Sequence, residues 1–401
     1  MQNSFLPADI VLPKDADVQK WAVIACDQFT SDIAYWNRVR DYVGDSPSAL
    51  HMILPEAELE IKTEDTINRI NDTMLQYLHD DVFVHYPQCF IYVERTLVDG
   101  SIRKGIVGAV DLEEYEYHPY SKAKIRATEQ TVLERIPPRV EIRKGAAIEL
   151  SHIIVFCDDT RFSLIEPIAE KLMHLKKLYD FDLMENGGHI SGWLIDEKTS
   201  AELKESIHQY EALNPGEARY LVADGNHSLA TAKHCYEACK QNDPAKDYPC
   251  RYAMIEMENI HSPAIRFEPI HRIMTQIDPD QLLKDMEAVC ESNGCPITWV
   301  SGDRRGVVHL ALHKNELPIA AMQRFLDKWM DVNGGVIDYI HDDDALVSLA
   351  SNGQTIGFLM PGMNKSELFT YVAAGNILPR KTFSLGHAVE KRYYLEGRLI
   401  K

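Results

Sequence analysis

The 401-residue chain has no long apolar run. A membrane-spanning helix needs about 18 or more such residues in succession, so none is expected. The opening residues, Met1 to Pro7, lack a basic stretch followed by an apolar one, and no signal peptide is expected there. Positive charge is scarce: 42 basic residues stand against 61 acidic ones, a formal net charge of −19. A field of that sign repels nucleic acid and anionic membrane, which argues against both as partners. The commonest catalytic signatures are missing as well. No strand-like run is followed by Gly-x-Gly-x-x-Gly or the Walker lysine pattern, and neither Gly-x-Ser-x-Gly nor His-Glu-x-x-His occurs. Ordinary dehydrogenases, P-loop enzymes, esterases and zinc peptidases are thereby set aside. The eight cysteines make no disulfide framework in a chain of this length. Cys235 and Cys239 lie one helical turn apart, and Cys290 and Cys295 flank Gly294. No second Cys/His pair completes a zinc pattern, so no metal site is expected from them. Reduced thiols in the cytoplasm are the simple reading.

What is present is ordinary for a folded protein, with 45% hydrophobic and 26% charged residues. The length favours two domains, expected at 1–275 and 276–401, with the C-terminal tail docking back. The continuous apolar runs at 21–26 and 151–157 predict buried strands. Ser31 is placed to cap a helix whose Ile33, Trp36, Val39 and Val43 share one face. Residues 63–79 predict a second helix. The runs 89–97 and 102–112, joined at Asp99-Gly100, predict a hairpin. A basic stretch holding Arg126, Arg135, Arg139, Arg143 and Lys144 is broken by Pro137-Pro138. Further helices are expected at 162–177, 198–210 and 278–292, and a short one at Lys391-Arg392. Helices alternating with strands and hairpins predict an α/β (mixed α+β) protein: a mixed sheet with flanking helices, plus a second, smaller α/β region.

The densest chemistry lies at 219–233, Arg-Tyr-Leu-Val-Ala-Asp-Gly-Asn-His-Ser-Leu-Ala-Thr-Ala-Lys. Five residues of β character end at Asp224-Gly225, and a helix-forming run starts at Leu229. The first amides of a helix have no partner within it, and the helix dipole adds partial positive charge there, so such a corner attracts phosphate. Gly225 lets backbone approach a ligand closely. Asp224, Asn226, His227 and Ser228 gather an acid, an amide, an imidazole and a hydroxyl at one spot. A cap alone needs one of these, not four. Other polar clusters end other apolar runs. Arg126 and Arg143 form a candidate clamp for phosphate or carboxylate, with Glu129 nearby as acid or capping partner. His271 and Arg272 follow Pro269, and Lys381 and Thr382 lie in the loop before Gly386. His341-Asp-Asp-Asp344 reads as a helix N-cap before it reads as a cation site.

Several segments resemble the uncharacterised bacterial family named domain of unknown function 1015: 126–131, 180–184 with Gly187-Gly188, 222–228, 267–272 and 379–383. They span most of the chain. The apolar-apolar-Asp-Gly-x-His pattern leading into a helix is also distantly similar to the ParB/sulfiredoxin-like superfamily, one branch of which phosphorylates free serine. That likeness implies a ParB/sulfiredoxin-like core and phosphate binding by Asp224, Gly225, Asn226, His227 and Ser228. Ser228 stands where the pattern has arginine, so the cation must come from elsewhere: Arg126, Arg143, Arg272 or Lys381.

The expected function is phosphoryl transfer on a small metabolite, with serine or phosphoserine the best guess and the direction, kinase or phosphatase, open. Asp224 and Glu129 are the candidate proton acceptors and His227 a candidate proton donor. Gly225, Asn226, Ser228, Arg126, Arg143, His271, Arg272, Lys381 and Thr382 are the candidate ligand-binding residues. A nucleotide partner would bring magnesium. The alternative is a non-catalytic nucleotide- or small-molecule-binding regulatory module; a homodimer stays open.

Overall fold

The computed structural model describes residues 3–401 apart from 31, 132–135, 214–217, 315 and 380, and apart from the side chains of residues 60 and 61. Ser31 and Arg135 therefore lie outside the described residues. The chain forms two units. The first comprises residues 1–265, 369–376 and 387–401; the second comprises 266–368 and 377–386.

The first unit is built on a mixed sheet of ten strands. Across it run Lys176–Asp182, His189–Leu194, Ile91–Thr96, Ile102–Asp111, Tyr252–Asn259, Ile154–Cys157, Tyr220–Asp224, Ile125–Ala127 and Tyr115–Glu116, with Phe5–Leu6 beside Ile102–Asp111. Most neighbours are antiparallel, but Ile154–Cys157 lies parallel to Tyr252–Asn259, and Ile125–Ala127 lies parallel to both Tyr220–Asp224 and Tyr115–Glu116. The mixed α/β class expected from the pattern is what the structure has. The expected hairpin is present as Ile91–Thr96 paired with Ile102–Asp111. The helix Glu64–His79 is capped by Thr63, whose side chain accepts from the Thr66 amide.

A second, four-stranded sheet in this unit has the order Phe83–Cys89, Ala8–Pro13, Gly397–Leu399, Ile148–Leu150. Tyr393–Tyr394 pairs separately with Val23–Ile24. Residues from the last part of the chain are thus stitched between strands from its beginning and middle. Buried cations hold the connecting segment. Arg95 donates to the carbonyls of Gly187 at 2.7 Å, Val389 at 2.8 Å and Lys391. Arg103 donates to the Glu390 carbonyl at 3.1 Å and pairs with Glu258 at 2.5 Å, both side chains being nearly inaccessible. Arg392 bridges Glu256 at 2.8 Å and Glu396 at 2.9 Å.

The second unit is a five-stranded antiparallel sheet in the order Arg304–Leu310, Cys290–Ser301, Ile356–Leu359, His271–Thr275, Val336–Ile340. Met274, Ile297 and Phe358 on one face pack with Leu282, Met286, Met322 and Leu326 of the helices Pro279–Glu287 and Pro318–Asn333. Ile273 and Val300 face Leu346 of Asp343–Leu349, which Asp342 caps by accepting from the Ala345 amide at 2.8 Å.

Four local expectations are corrected. Residues 162–177 form only the short helix Glu166–Ala169 and the turn Leu172–His174 before the strand Lys176–Asp182 begins. Phe162 takes a left-handed φ of 53°, outside the helical region, and from Lys176 the chain is claimed by pairing with His189–Leu194. The helix expected at 278–292 ends at Glu287, and Cys290 already belongs to the next strand. The N-cap of Ile33–Val43 is Asp32, whose side chain accepts from the Tyr35 amide at 3.0 Å. Pro137-Pro138 does not break the basic stretch but lies in the first turn of Ile136–Gly145, where a missing amide costs little. Lys391 follows a one-turn helix, Ala388–Glu390, and is extended. Among the described residues no helix is long and apolar enough to cross a membrane.

Candidate functional site

Apolar Leu221 and Val222 bury Tyr220–Asp224 inside the large sheet, between Ile154–Cys157 and Ile125–Ala127. The strand stops at Gly225, which takes a left-handed conformation at φ 77° and serves as N-cap of the helix Asn226–Asn242. Glycine brings no side chain to cap the first amides, and it alone adopts this conformation cheaply. Crowding reinforces the requirement: a Cβ at 225 would lie 3.0 Å from Ile153 Cγ1 and 3.4 Å from His152 Cδ2. The corner is therefore a sharp strand-to-helix turn set against the residues that precede Ile154–Cys157.

Around it the first unit assembles a polar cluster. Asp224 accepts from the Gly225 amide at 2.9 Å and from Lys391 Nζ at 3.2 Å. Lys391 is nearly buried, held there by the tail that Arg95 and Arg103 anchor. Ser228 Oγ lies 3.1 Å from His152 Nε2. On the other side of the ring, His152 Nδ1 is 2.7 Å from the Tyr394 hydroxyl. That hydroxyl accepts from the Cys26 amide at 3.2 Å and donates to Cys26 Sγ at 3.1 Å. Asp27 Oδ2 is 4.0 Å from His152 Nε2. Burial works against ionising Asp27, but His152, the Gln28 amide group and Lys391 outweigh it and hold the carboxyl below its usual pKa. Burial raises the Cys26 thiol to about 11, so Cys26 is a protonated hydrogen-bonding group and not a thiolate nucleophile. Burial likewise keeps Tyr394 a phenol.

Ser228, His152, Tyr394 and Cys26 open onto a cleft of about 150 Å³. Its remaining wall is mainly apolar, from Met52, Leu54, Met74, Ile142 and Ile148. Two arginines reach it already paired: Arg139 with Glu56, and Arg143 with Glu149.

The residues singled out from the sequence fall into three groups. Asp224, Gly225, His227 and Ser228 sit together at the corner. Asn226 sits there too, but its side chain is buried and ties the helix to the neighbouring strand, accepting from the Thr128 amide at 3.3 Å. Glu129 follows Thr128 directly and is half-buried. Arg126 is buried and donates to the Ala123 carbonyl at 2.8 Å, and Arg143 is engaged by Glu149, so the structure does not bring them forward as a joint clamp. His271, Arg272, Lys381 and Thr382 belong to the second unit. There His271 bonds Asp343 at 2.7 Å and accepts from the Met360 amide at 3.0 Å. Arg272 is fully buried, donates to the Ile270 and Lys381 carbonyls and lies over the Tyr339 ring. Thr382 donates to the Pro379 carbonyl at 2.6 Å.

Asp27, His152, Lys391, Tyr394 and Cys26 were not picked out from the sequence. A signal existed for two of them: Asp27 directly ends the apolar run 21–26, and His152 stands at the start of another. The apolar stretch Tyr393–Leu395 marks a tail that docks, but not that pairing with Val23–Ile24 brings Lys391 and Tyr394 to this corner. Among the described residues no group of three or more His, Cys, Asp or Glu side chains gathers as a metal centre.

No curated protein matches this chain. Among solved structures, a free serine kinase in complex with AMP is similar at 13% identity and a TM-score of 0.38, over 70% of this chain and 92% of that one. A conserved hypothetical protein from Pyrococcus furiosus matches at 12% identity and a TM-score of 0.34, over 72% and 90%. SbnI with C-terminal truncation, from Staphylococcus aureus, matches at 12% identity and a TM-score of 0.36, over 72% and 82%. The model of one family, described as "Protein of unknown function (DUF1015)", matches residues 6–370, and the chain belongs to that family.

Proposed function

We propose that the first unit binds the phosphate of a small phosphorylated metabolite or nucleotide at the start of Asn226–Asn242 and transfers a phosphoryl group, with serine or phosphoserine as the small substrate. The observation that carries this reading is Lys391 held 3.2 Å from Asp224, directly before the helix start. The sequence pattern lacks its cation at position 228, and Lys391 supplies one from the tail. Helix amides and an ammonium at one point make a cradle for the charge that develops on a phosphoryl group. Asp224, engaged by Lys391 and by the Gly225 amide, positions that cation. Asp27, whose carboxyl is held ionised, takes the proton from the attacking hydroxyl or water. His227 at the helix start and Glu129 beyond the adjacent strand complete the polar surround. A nucleotide donor would bring magnesium with its phosphates, and Asp27 and Asp224 are the carboxylates beside the corner that would meet it.

The test is thermal-shift titration with serine, phosphoserine and nucleoside di- and triphosphates, with and without magnesium, on the parent chain and on Asp27→Asn. A ligand at about 100 times its Kd stabilises by about 2.7 kcal/mol. An enzyme keeps the shift in Asp27→Asn and loses turnover; a regulatory binding module keeps the shift and has no turnover to lose. If no phosphorylated compound moves the parent's Tm, the reading is wrong.

A further inference from the structure

Ser228 occupies the third position of its helix, where a serine serving only as a cap has no role: the N-cap lies three residues earlier, at Gly225. Its hydroxyl is turned sideways onto His152 Nε2 at 3.1 Å, and both groups line the cleft. On the far side of the ring the Tyr394 hydroxyl lies 2.7 Å from His152 Nδ1 and 3.1 Å from Cys26 Sγ, so the imidazole is held at both nitrogens. In the tautomer that donates Nδ1–H to the Tyr394 oxygen, Nε2 presents its lone pair to Ser228 Oγ. A hydroxyl within reach of an imidazole that a third group orients is the arrangement of an activated nucleophile.

We propose that Ser228 is a covalent nucleophile that carries the phosphoryl group between donor and acceptor. The inference rests on the phosphate-binding reading above and adds a step to it. In the first half, Ser228 Oγ attacks the terminal phosphorus of a phosphoric anhydride, such as a nucleoside di- or triphosphate. An O–P bond forms to serine while the bond from phosphorus to the bridging oxygen breaks, and that oxygen leaves with the electron pair. The serine proton passes to His152 Nε2. The resulting imidazolium lies 4.0 Å from the Asp27 carboxylate, which offsets its charge. In the second half, the acceptor hydroxyl attacks the phosphoserine phosphorus and loses its proton to Asp27. Ser228 Oγ leaves and recovers its proton from His152. The amides that start the helix and the Lys391 ammonium receive the transferred group in both halves.

The experiment uses the full chain with magnesium and, in separate arms, radiolabelled ATP, ADP and acetyl phosphate, quenched in acid. The expected result is acid-stable, alkali-labile label on the tryptic peptide 220–233, mapped to Ser228 by fragmentation and discharged when serine is added. Ser228→Ala abolishes that label while the ADP-induced thermal shift remains. His152→Gln slows labelling about 100-fold, the usual weight of a general base. Tyr394→Phe, which removes the partner that orients the imidazole at Nδ1, slows labelling at unchanged ADP affinity. The proposal is overturned if the parent chain binds ADP yet takes no label from any donor, or if label persists in Ser228→Ala. Failure of the parent to bind any phosphorylated compound would instead remove the phosphate-binding reading, and this step with it.

Discussion

Replacing Gly225 by alanine tests the geometry on which the site depends. Two costs add. A left-handed conformation costs an L-residue about 1–2 kcal/mol, and Gly225 has φ 77°. The new methyl also meets Ile153 Cγ1 at 3.0 Å and Ile153 Cα at 3.1 Å, the second of which is backbone and cannot rotate away. Overpacking of this kind costs about 1–3 kcal/mol. The expected loss is therefore about 2–5 kcal/mol. Gly353→Ala is the control, since Gly353 is also left-handed, at φ 70°, but a methyl there would meet nothing nearer than 3.9 Å. It should lose only the backbone share, about 1–2 kcal/mol. Chemical denaturation of both variants against the parent reads the difference directly. For a unit of this size about 2–4 °C of Tm accompanies each kcal/mol, so calorimetry resolves it too. The second readout is the ligand: a methyl that pushes His152 and Ile153 away from the helix start should erase the thermal shift produced by ADP. Equal losses in Gly225→Ala and Gly353→Ala would refute the crowded corner, and an intact ADP shift in Gly225→Ala would refute the claim that this turn builds the cradle.

Three further outcomes follow from the same contacts. Lys391→Met should weaken phosphate-ligand affinity by about 10- to 100-fold, the weight of one charge-assisted hydrogen bond, and isothermal titration reads it; unchanged affinity would remove Lys391 from the cradle. Arg103→Met leaves Glu258 buried without its partner and should destabilise by about 3–5 kcal/mol, whereas Arg103→Met with Glu258→Met should recover much of that loss in urea melts. His189 lies 2.7 Å from both Asp182 and Asp180, and these carboxylates, Asp182 foremost, raise its pKa above the ordinary 6.5. Because the folded-state pKa is the higher one, the stabilisation is complete below the unfolded value and fades as pH rises through the folded value. The side chain is 39% exposed, so the gain stays under about 1 kcal/mol; NMR titration should show the raised pKa and its fall in Asp182→Asn.

The strand-turn-helix at 220–242 was legible because three local signals agree: a short apolar run, a glycine at the bend and a helix-forming run after it. The hairpin at Asp99-Gly100 and the Thr63-capped helix were legible for the same reason. Residues 162–177 misled because their composition tolerates a helix, while the left-handed Phe162 and pairing of Lys176–Asp182 with His189–Leu194 decide otherwise. Cys290–Ser301 misled similarly, since its opening residues lack alternation and its register is set by Arg304–Leu310.

Sequence alone thus determined the mixed α/β class, the Asp224-Gly225 turn and its family, all of which rest on interactions between residues close along the chain. Tertiary structure alone decided what surrounds that turn. Lys391 and Tyr394 lie more than 150 residues from Asp224 and Ser228 along the chain. They arrive because Tyr393–Tyr394 pairs with Val23–Ile24 and because Arg95 and Arg103 fasten the preceding segment. Backbone pairing and buried charge act through space, so no local pattern around residue 391 could announce that its ammonium completes the corner at residue 224.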